Sequence, residues 1–176
     1  MIGNYIKSDL YRYTGSESDK ALVKLFLTNR FFRYQVYFRL SQSNNFIIRL
    51  IFTLMKRSIS AKVNVQISRK VKIGHGLYIP HGNVVINSNT NIGNNCSILQ
   101  FTSIGSVDEN SAIIGDNVYI SPNTSIVGGV TIGNNSVIGA GTVVVKNVED
   151  NIIVCGVPAK NIKSSDGFDT YNKYVS

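Results

Sequence analysis

Between Ile67 and Val144 the aliphatic residues fall on a six-residue beat: Ile67, Ile73, Ile79, Ile86, Ile92, Ile98, Ile104, Ile114, Ile120, Ile126, Ile132, Ile138 and Val144. The beat slips twice, by one residue between Ile79 and Ile86 and by four between Ile104 and Ile114. Glycine directly follows six of these residues, as in Ile73-Gly74, Ile92-Gly93 and Ile132-Gly133. Four positions past the beat the side chain is usually small or β-branched, as at Val71, Thr90, Cys96, Thr102, Val118, Thr124, Ser136 and Thr142. An amphipathic helix recurs at three and four residues, and a hairpin sheet needs turn residues about every eight to twelve, so neither yields six. Six residues hold one short strand and one corner. The beat residue points inward, and Gly, Asn or Asp takes the corner, where positive φ or side-chain-to-backbone bonding is needed. Asn94-Asn95, Asp116-Asn117 and Asn134-Asn135 have that composition. Three sides close a triangular coil, and the coils stack as parallel strands about 4.8 Å apart. Thirteen beats predict about four coils, with the repeat decaying after Val145 and ending at Pro158. The expected fold is mainly β, a parallel β-helix; a β-sandwich would not hold phase over so many repeats.

The first 62 residues follow another pattern. Within residues 4–13, Ile6, Leu10 and Tyr13 share one helical face, and Thr14-Gly15-Ser16 breaks it. Ser18 is placed to cap a second helix carrying Leu22, Leu25 and Phe26. Aromatics and arginines interleave from Arg30 to Leu40, and Phe46–Met55 is apolar apart from Arg49 and Thr53. That last stretch is far short of the roughly twenty residues that cross a bilayer. The chain therefore divides into a basic, aromatic-rich helical segment (1–62), a β-helix (63–163) and a polar tail (164–176).

Charge sharpens this division. The net charge is +8, and residues 1–62 carry all of it, with eleven Lys/Arg against Asp9, Glu17 and Asp19. Such asymmetry predicts an anionic partner for the helical segment. Two readings stand open. The helices bury their aromatics against the β-helix with arginine stems along apolar surface, or they rest on anionic membrane or a lipid-linked glycan. Nucleic acid finds no recognition motif here. Cys96 and Cys155 are far apart, and Cys96 falls on an inward position, which predicts a packed thiol rather than a disulfide. Met1–Tyr13 lacks a secretory apolar core, so a cytoplasmic chain is expected, peripheral at the inner face of the membrane if the helices bind lipid.

The stretch from Ile73 to Ile86 (IGHGLYIPHGNVVI), with Ser97-Ile98-Leu99-Gln100 and Gly156-Val157-Pro158-Ala159-Lys160, resembles the serine acetyltransferase-like branch of the hexapeptide-repeat acyltransferases, including relatives in capsular and exopolysaccharide gene sets. The resemblance covers roughly residues 66–163. It implies a left-handed β-helix, a homotrimer and acetyl-CoA as co-substrate, with no metal. It places the catalytic histidine at His81, where an imidazole titrating near neutrality suits removal of a hydroxyl proton. The one-residue slip beside it fits a bulge that re-aims a working side chain. His75 is read as a solvated corner residue. Relatives orient their histidine with a carboxylate fifteen residues upstream; here that position is Gln66, an amide that can fix a tautomer but carries no charge. The resemblance implies that acetyl-CoA lies between neighbouring subunits against Gly105, Pro122, Gly139, Ala140, Gly156 and Pro158, with Lys160 meeting a CoA phosphate.

The acceptor is where this sequence departs from its serine-forming relatives. Their Arg-His-Pro loop, which holds the serine carboxylate, is shortened here to Gly105–Ile113 with Asp108 and Glu109 and no Arg or His. The residue before the histidine, an acid in those relatives, is Pro80. A sugar hydroxyl of a surface polysaccharide or its precursor fits better than an amino acid. Serine remains an alternative, as does a non-catalytic membrane- or glycan-docked module, which Gln66 in place of an acid favours. Zinc-dependent β-helix enzymes need three histidines, and the chain has two.

Overall fold

The structure, a computed structural model, describes residues 2–107 and 110–164. The expected tail beyond Ser164, and Asp108 and Glu109 of the acidic loop, lie outside the described residues. Four helices open the chain: α1 (Ile2–Thr14), α2 (Asp19–Thr28), α3 (Arg30–Leu40) and α4 (Phe46–Val63). Short polar side chains start three of them. Ser18 accepts the Ala21 amide, Asn29 those of Phe31 and Phe32, and Asn45 those of Ile47 and Ile48. Asn64 closes α4 in the left-handed region, φ 50°. The apolar stretch Phe46–Met55 thus opens a helix that runs eight residues further, through Lys56-Arg57, directly into the first coil.

The strands follow as β1 (Val65–Ile67), β2 (Lys72–Ile73), β3 (Val84–Ile86), β4 (Asn91–Ile92), β5 (Ser97–Ile98), β6 (Thr102–Gly105) and β7 (Ile113–Ile114). Then come β8 (Tyr119–Ile120), β9 (Ser125–Val127), β10 (Thr131–Ile132), β11 (Val137–Ile138), β12 (Val143–Val144), β13 (Ile152–Cys155) and β14 (Lys160–Ser164). They stack into three faces of a prism. The first is β1-β3-β6-β9-β12, the second β2-β4-β7-β10, and the third β5-β8-β11-β13, all parallel, with β14 added antiparallel at the end. Every beat isoleucine is buried, and so are Val71, Thr90, Cys96, Thr102, Val118, Thr124, Ser136 and Thr142 between them.

The solenoid is longer than the beat predicts. After Val144 the next inward residues are Val148, bridging Ile132, and Val154, paired with Ile138. They complete about a fifth turn. The shortened step from Val144 to Val148 breaks the six-residue count, so the repeat is out of phase there rather than finished.

Corners divide their work between two residue types. Along one edge positive φ falls to asparagine at Asn95, Asn117, Asn135 and Asn151 (53–58°), whose amides ladder from coil to coil at 2.9 Å from Asn117 to Asn135 and on to Asn151. Gly93 and Gly115 have no such φ. A Cβ there would collide with Asp116 or Asn134 of the next coil, whose carbonyl-type oxygens accept the following backbone amide at 2.6–2.8 Å. At Gly93 and Gly115 the glycine after the isoleucine is therefore a requirement of close stacking, whereas Gly105 has open space around it.

The helices cap the open end of the third face. Residues 77–79 form its first rung, through the Tyr78–Ser97 bridge, and have no preceding coil to pair with. Side chains take that place. Asp9 accepts the Leu77 amide at 2.8 Å, Gln35 donates to the Leu77 carbonyl at 2.9 Å and accepts the Ile79 amide at 3.0 Å, and Tyr13 donates to the Ile79 carbonyl at 2.6 Å. Arg39 donates to the Ile73 and Gly74 carbonyls at 2.7 Å, and Arg12 to that of Gly76 at 2.7 Å. An unpaired strand edge is both costly and adhesive, and this polar plug removes it. Tyr34 and Phe38 of α3 belong to the same apolar cluster as Val63, Ile67 and the beat residues.

Candidate active site

His81 opens the corner that carries the chain from the third face to β3 on the first. Its side chain is exposed, and the Phe31 ring meets it edge-on, centroids 6.2 Å apart at 72°. The corner is clamped from behind. Gly82 is buried under the end of α4, where a Cβ would collide with the Val63 carbonyl and approach the Phe31 ring at 3.3 Å. Asn83 takes φ 59°, with its Oδ1 accepting from Asn64 of the coil below at 3.2 Å. The slip lies here: Val65 pairs with Val84, 19 positions on, whereas Val84 pairs with Thr102, 18 on. The extra residue lets His81 turn out of the prism while the inward column stays intact.

Successive coils bring most of the other predicted residues to this same edge. Pro122 accepts the Gly141 amide at 3.0 Å, and Gly156 accepts the Val143 amide at 3.0 Å, so Pro122, Gly139–Gly141 and Gly156–Pro158 run up the edge beyond His81. Gly139 is packed so that a Cβ would strike the Cys155 sulfur, and Gly156 has φ 103°. Two residues lie elsewhere. Gly105 ends β6 at the opposite border of the first face, and Lys160 opens β14 after the cis Val157-Pro158 peptide. Gly105 leads into the loop toward Ile113, which Asn87 anchors by bonds to Ser106 and Ser111 at 2.8 and 2.9 Å.

Gln66 sits in β1 opposite Val85, four residues beyond His81 along the coil, because this coil takes 19 residues and not fifteen. It is exposed, in a cleft shared with Arg57 and Arg69. His75 occupies a different edge, between the second and third faces, stacked flat on Tyr5 with centroids 4.0 Å apart at 4°. It is exposed as expected but is held by that ring. The two histidines do not meet, and no group of three metal-binding side chains occurs among the described residues.

The plug is what sequence reasoning missed. Asp9 and Arg39 form a two-pronged ion pair, 2.9 and 3.0 Å, with both side chains at most 2% exposed. Burial pushes the Asp9 carboxyl up, while the Arg39 guanidinium and the Leu77 amide pull it back. Burial likewise holds the Tyr13 hydroxyl well above the usual phenol range, keeping it a donor to Ile79. Gln35 and Arg39 lie one turn apart in a helix whose other buried residues are Phe32, Tyr34, Val36, Tyr37 and Phe38, and Asp9 and Tyr13 are likewise one turn apart in α1. Polar residues aligned on the apolar side of two helices are the signal that could have revealed it.

The known proteins that this chain resembles agree with the geometry. Residues 111–146 match the bacterial transferase hexapeptide family (six repeats). The serine acetyltransferase (CysE) of Neisseria gonorrhoeae superposes with a TM-score of 0.80 at 29% identity, over 97% of this chain and 69% of that one. The same enzyme in complex with serine superposes with a TM-score of 0.76 at 30% identity, over 90% and 68%. Galactoside O-acetyltransferase of Escherichia coli K12 is 45% identical over 58 residues, 33% of this chain and 29% of that protein. Bifunctional protein GlmU of Psychrobacter sp. is 52% identical over 50 residues, 28% and 11%. This chain therefore spans less than a third of the length of either of these two relatives. The chain belongs to the hexapeptide-repeat acyltransferases, and its solenoid is the left-handed parallel β-helix.

Proposed function

We propose that this chain is an acetyl-CoA-dependent O-acetyltransferase with His81 as general base. The carrying observation is an exposed imidazole, fixed by a clamped corner, at the foot of an edge lined by Pro122, Gly139, Ala140, Gly156 and Pro158. His81 takes the acceptor hydroxyl proton as that oxygen attacks the acetyl carbonyl; the acetyl–sulfur bond breaks and CoA leaves as the thiol. Backbone amides along the edge are the available donors for the transient oxyanion, and Gly105 and Lys160 complete the cofactor's contacts in a homotrimer. The acceptor is a sugar hydroxyl of a surface polysaccharide or its precursor. Its support is the likeness to a galactoside O-acetyltransferase and the absence of any Arg or His between Gly105 and Ile113. Gln66, opposite Val85 in the cleft with Arg57 and Arg69, acts from the acceptor side rather than beneath the imidazole.

His81→Ala should lower turnover about 10²- to 10⁴-fold with the circular dichroism spectrum unchanged; full turnover in the variant would sink the assignment. L-serine is the competing acceptor, favoured by the 30% identity to an enzyme solved with serine. CoA release on adding serine alone, and none with sugars, would move the chain to that reading.

A further inference from the structure

We propose that the cleft between α4 and the first face binds the phosphate or pyrophosphate of an acceptor sugar delivered on a phosphate carrier. The acceptor's identity rests on the reading of His81 above; the anion site does not. The cleft encloses about 560 Å³, and its cationic wall is Lys56 and Arg57 from α4 and Arg69 from the turn after β1. Gln66, Ser68 and Ser88 add neutral polar groups, and no carboxylate lines it. The sequence has no Asp or Glu at all between Lys20 and Val107, so nothing in this region of the chain neutralises the three cations. Neither Arg57 nor Arg69 makes an ion pair among the described residues.

Lys56 is held in place. It is 9% exposed, and its Nζ donates to the Ile67 carbonyl at 2.6 Å. Burial pulls its pKa down, and the charge of Arg69 adds to that in the same direction. An anion entering the cleft would relieve that repulsion, and two exposed guanidiniums can close on phosphate oxygens in paired fashion. Position supports the acceptor over the donor. Most of the proposed cofactor residues run up the edge through the coils after His81, whereas this cleft is walled by β1 and its turn, before His81, and by Val85, Ile86 and Ser88 just after it. Val85 lines it four residues past His81, at most roughly 13 Å of extended chain. A sugar whose phosphate sits among these cations extends toward the imidazole.

The first test needs no catalysis. Inorganic pyrophosphate titrated into the full chain by calorimetry should bind saturably and weaken with salt. Arg57→Gln/Arg69→Gln should weaken it at least tenfold; both residues are exposed, and Lys56 is left in place to preserve the fold. Equal binding by the variant, or no saturable binding, overturns the site. In turnover, the variant should raise KM at least tenfold for a uridine diphosphate sugar or for a polyprenyl diphosphate sugar in phosphatidylcholine vesicles, and whichever responds identifies the carrier. A rise confined to the KM for acetyl-CoA, which also carries phosphates, assigns the cleft to the donor and overturns the proposal. Failure of the His81→Ala test leaves the pyrophosphate titration intact, so the two readings fail separately.

Discussion

Phe101 occupies a corner position that asparagine or glycine holds in the neighbouring coils. Asn64, Asn83, Asn123 and Gly141 share its column at φ 50–70°, and Phe101 itself stands at φ 60° and is 59% exposed. The left-handed conformation costs a residue with Cβ roughly 1–2 kcal/mol, which Asn partly recovers through local bonding. Phe101→Asn should therefore stabilise the fold by about 1 kcal/mol, read as a higher Tm; a lower Tm would mean that the ring packs for the fold's benefit. The corner of His81, by contrast, is marked in the sequence by the slipped beat, and its candidacy as general base comes from the resemblance. The structure added what holds it: the Gly82 clamp under Val63 and the Phe31 edge, neither of which has a local signature.

At the scale of the element, α3 shows where one sequence allows two readings. Its interleaved aromatics and arginines suited either packing or a membrane surface, and the fold splits them. Arg39 is buried in the plug, while Arg30 is exposed. Removing Arg39 leaves Asp9 buried and unpaired, along with the Ile73 and Gly74 carbonyls. Arg39→Met should cost about 3–5 kcal/mol by urea unfolding, and adding Asp9→Asn should return part of it. An unchanged midpoint for Arg39→Met would show the plug to be energetically idle. The pairing is invisible along the chain because Asp9 and Arg39 are 30 residues apart and the backbone groups they hold, the Leu77 amide and the Ile73 and Gly74 carbonyls, lie farther still.

For the whole molecule, the helical segment's charge does less at the surface than its count suggests. Arg12, Arg39 and Lys56 are all buried against the solenoid. What remains outside is an inverted helix. α4 buries Lys56 and Val63, and turns Phe46, Ile47 and Leu54, each 59–65% exposed, to solvent with Leu50 and Ile51. No helix among the described residues is long and apolar enough to cross a membrane. An apolar helix face flanked by Arg49, Arg57 and Lys62 has the composition of an interfacial helix, which makes contact with an anionic bilayer an expectation to test. The protein should co-sediment with phosphatidylglycerol-containing vesicles, less so at high salt, and Ile51→Glu/Leu54→Glu should abolish this. Co-sedimentation unchanged by the double substitution would exclude α4 as the contact.

The sequence by itself determined the solenoid: period six admits one strand and one corner per side, and each inward isoleucine and small partner follows from that local count. It also determined the start of α2, since the Ser18 cap depends on residues three apart. Only the tertiary structure decided which charges serve the fold, which face α4 presents, that a fifth turn exists, and that Gln66 lies opposite Val85. These depend on register between coils and on contacts across distant stretches of chain, and a slip of one residue in a corner moves every partner beyond it.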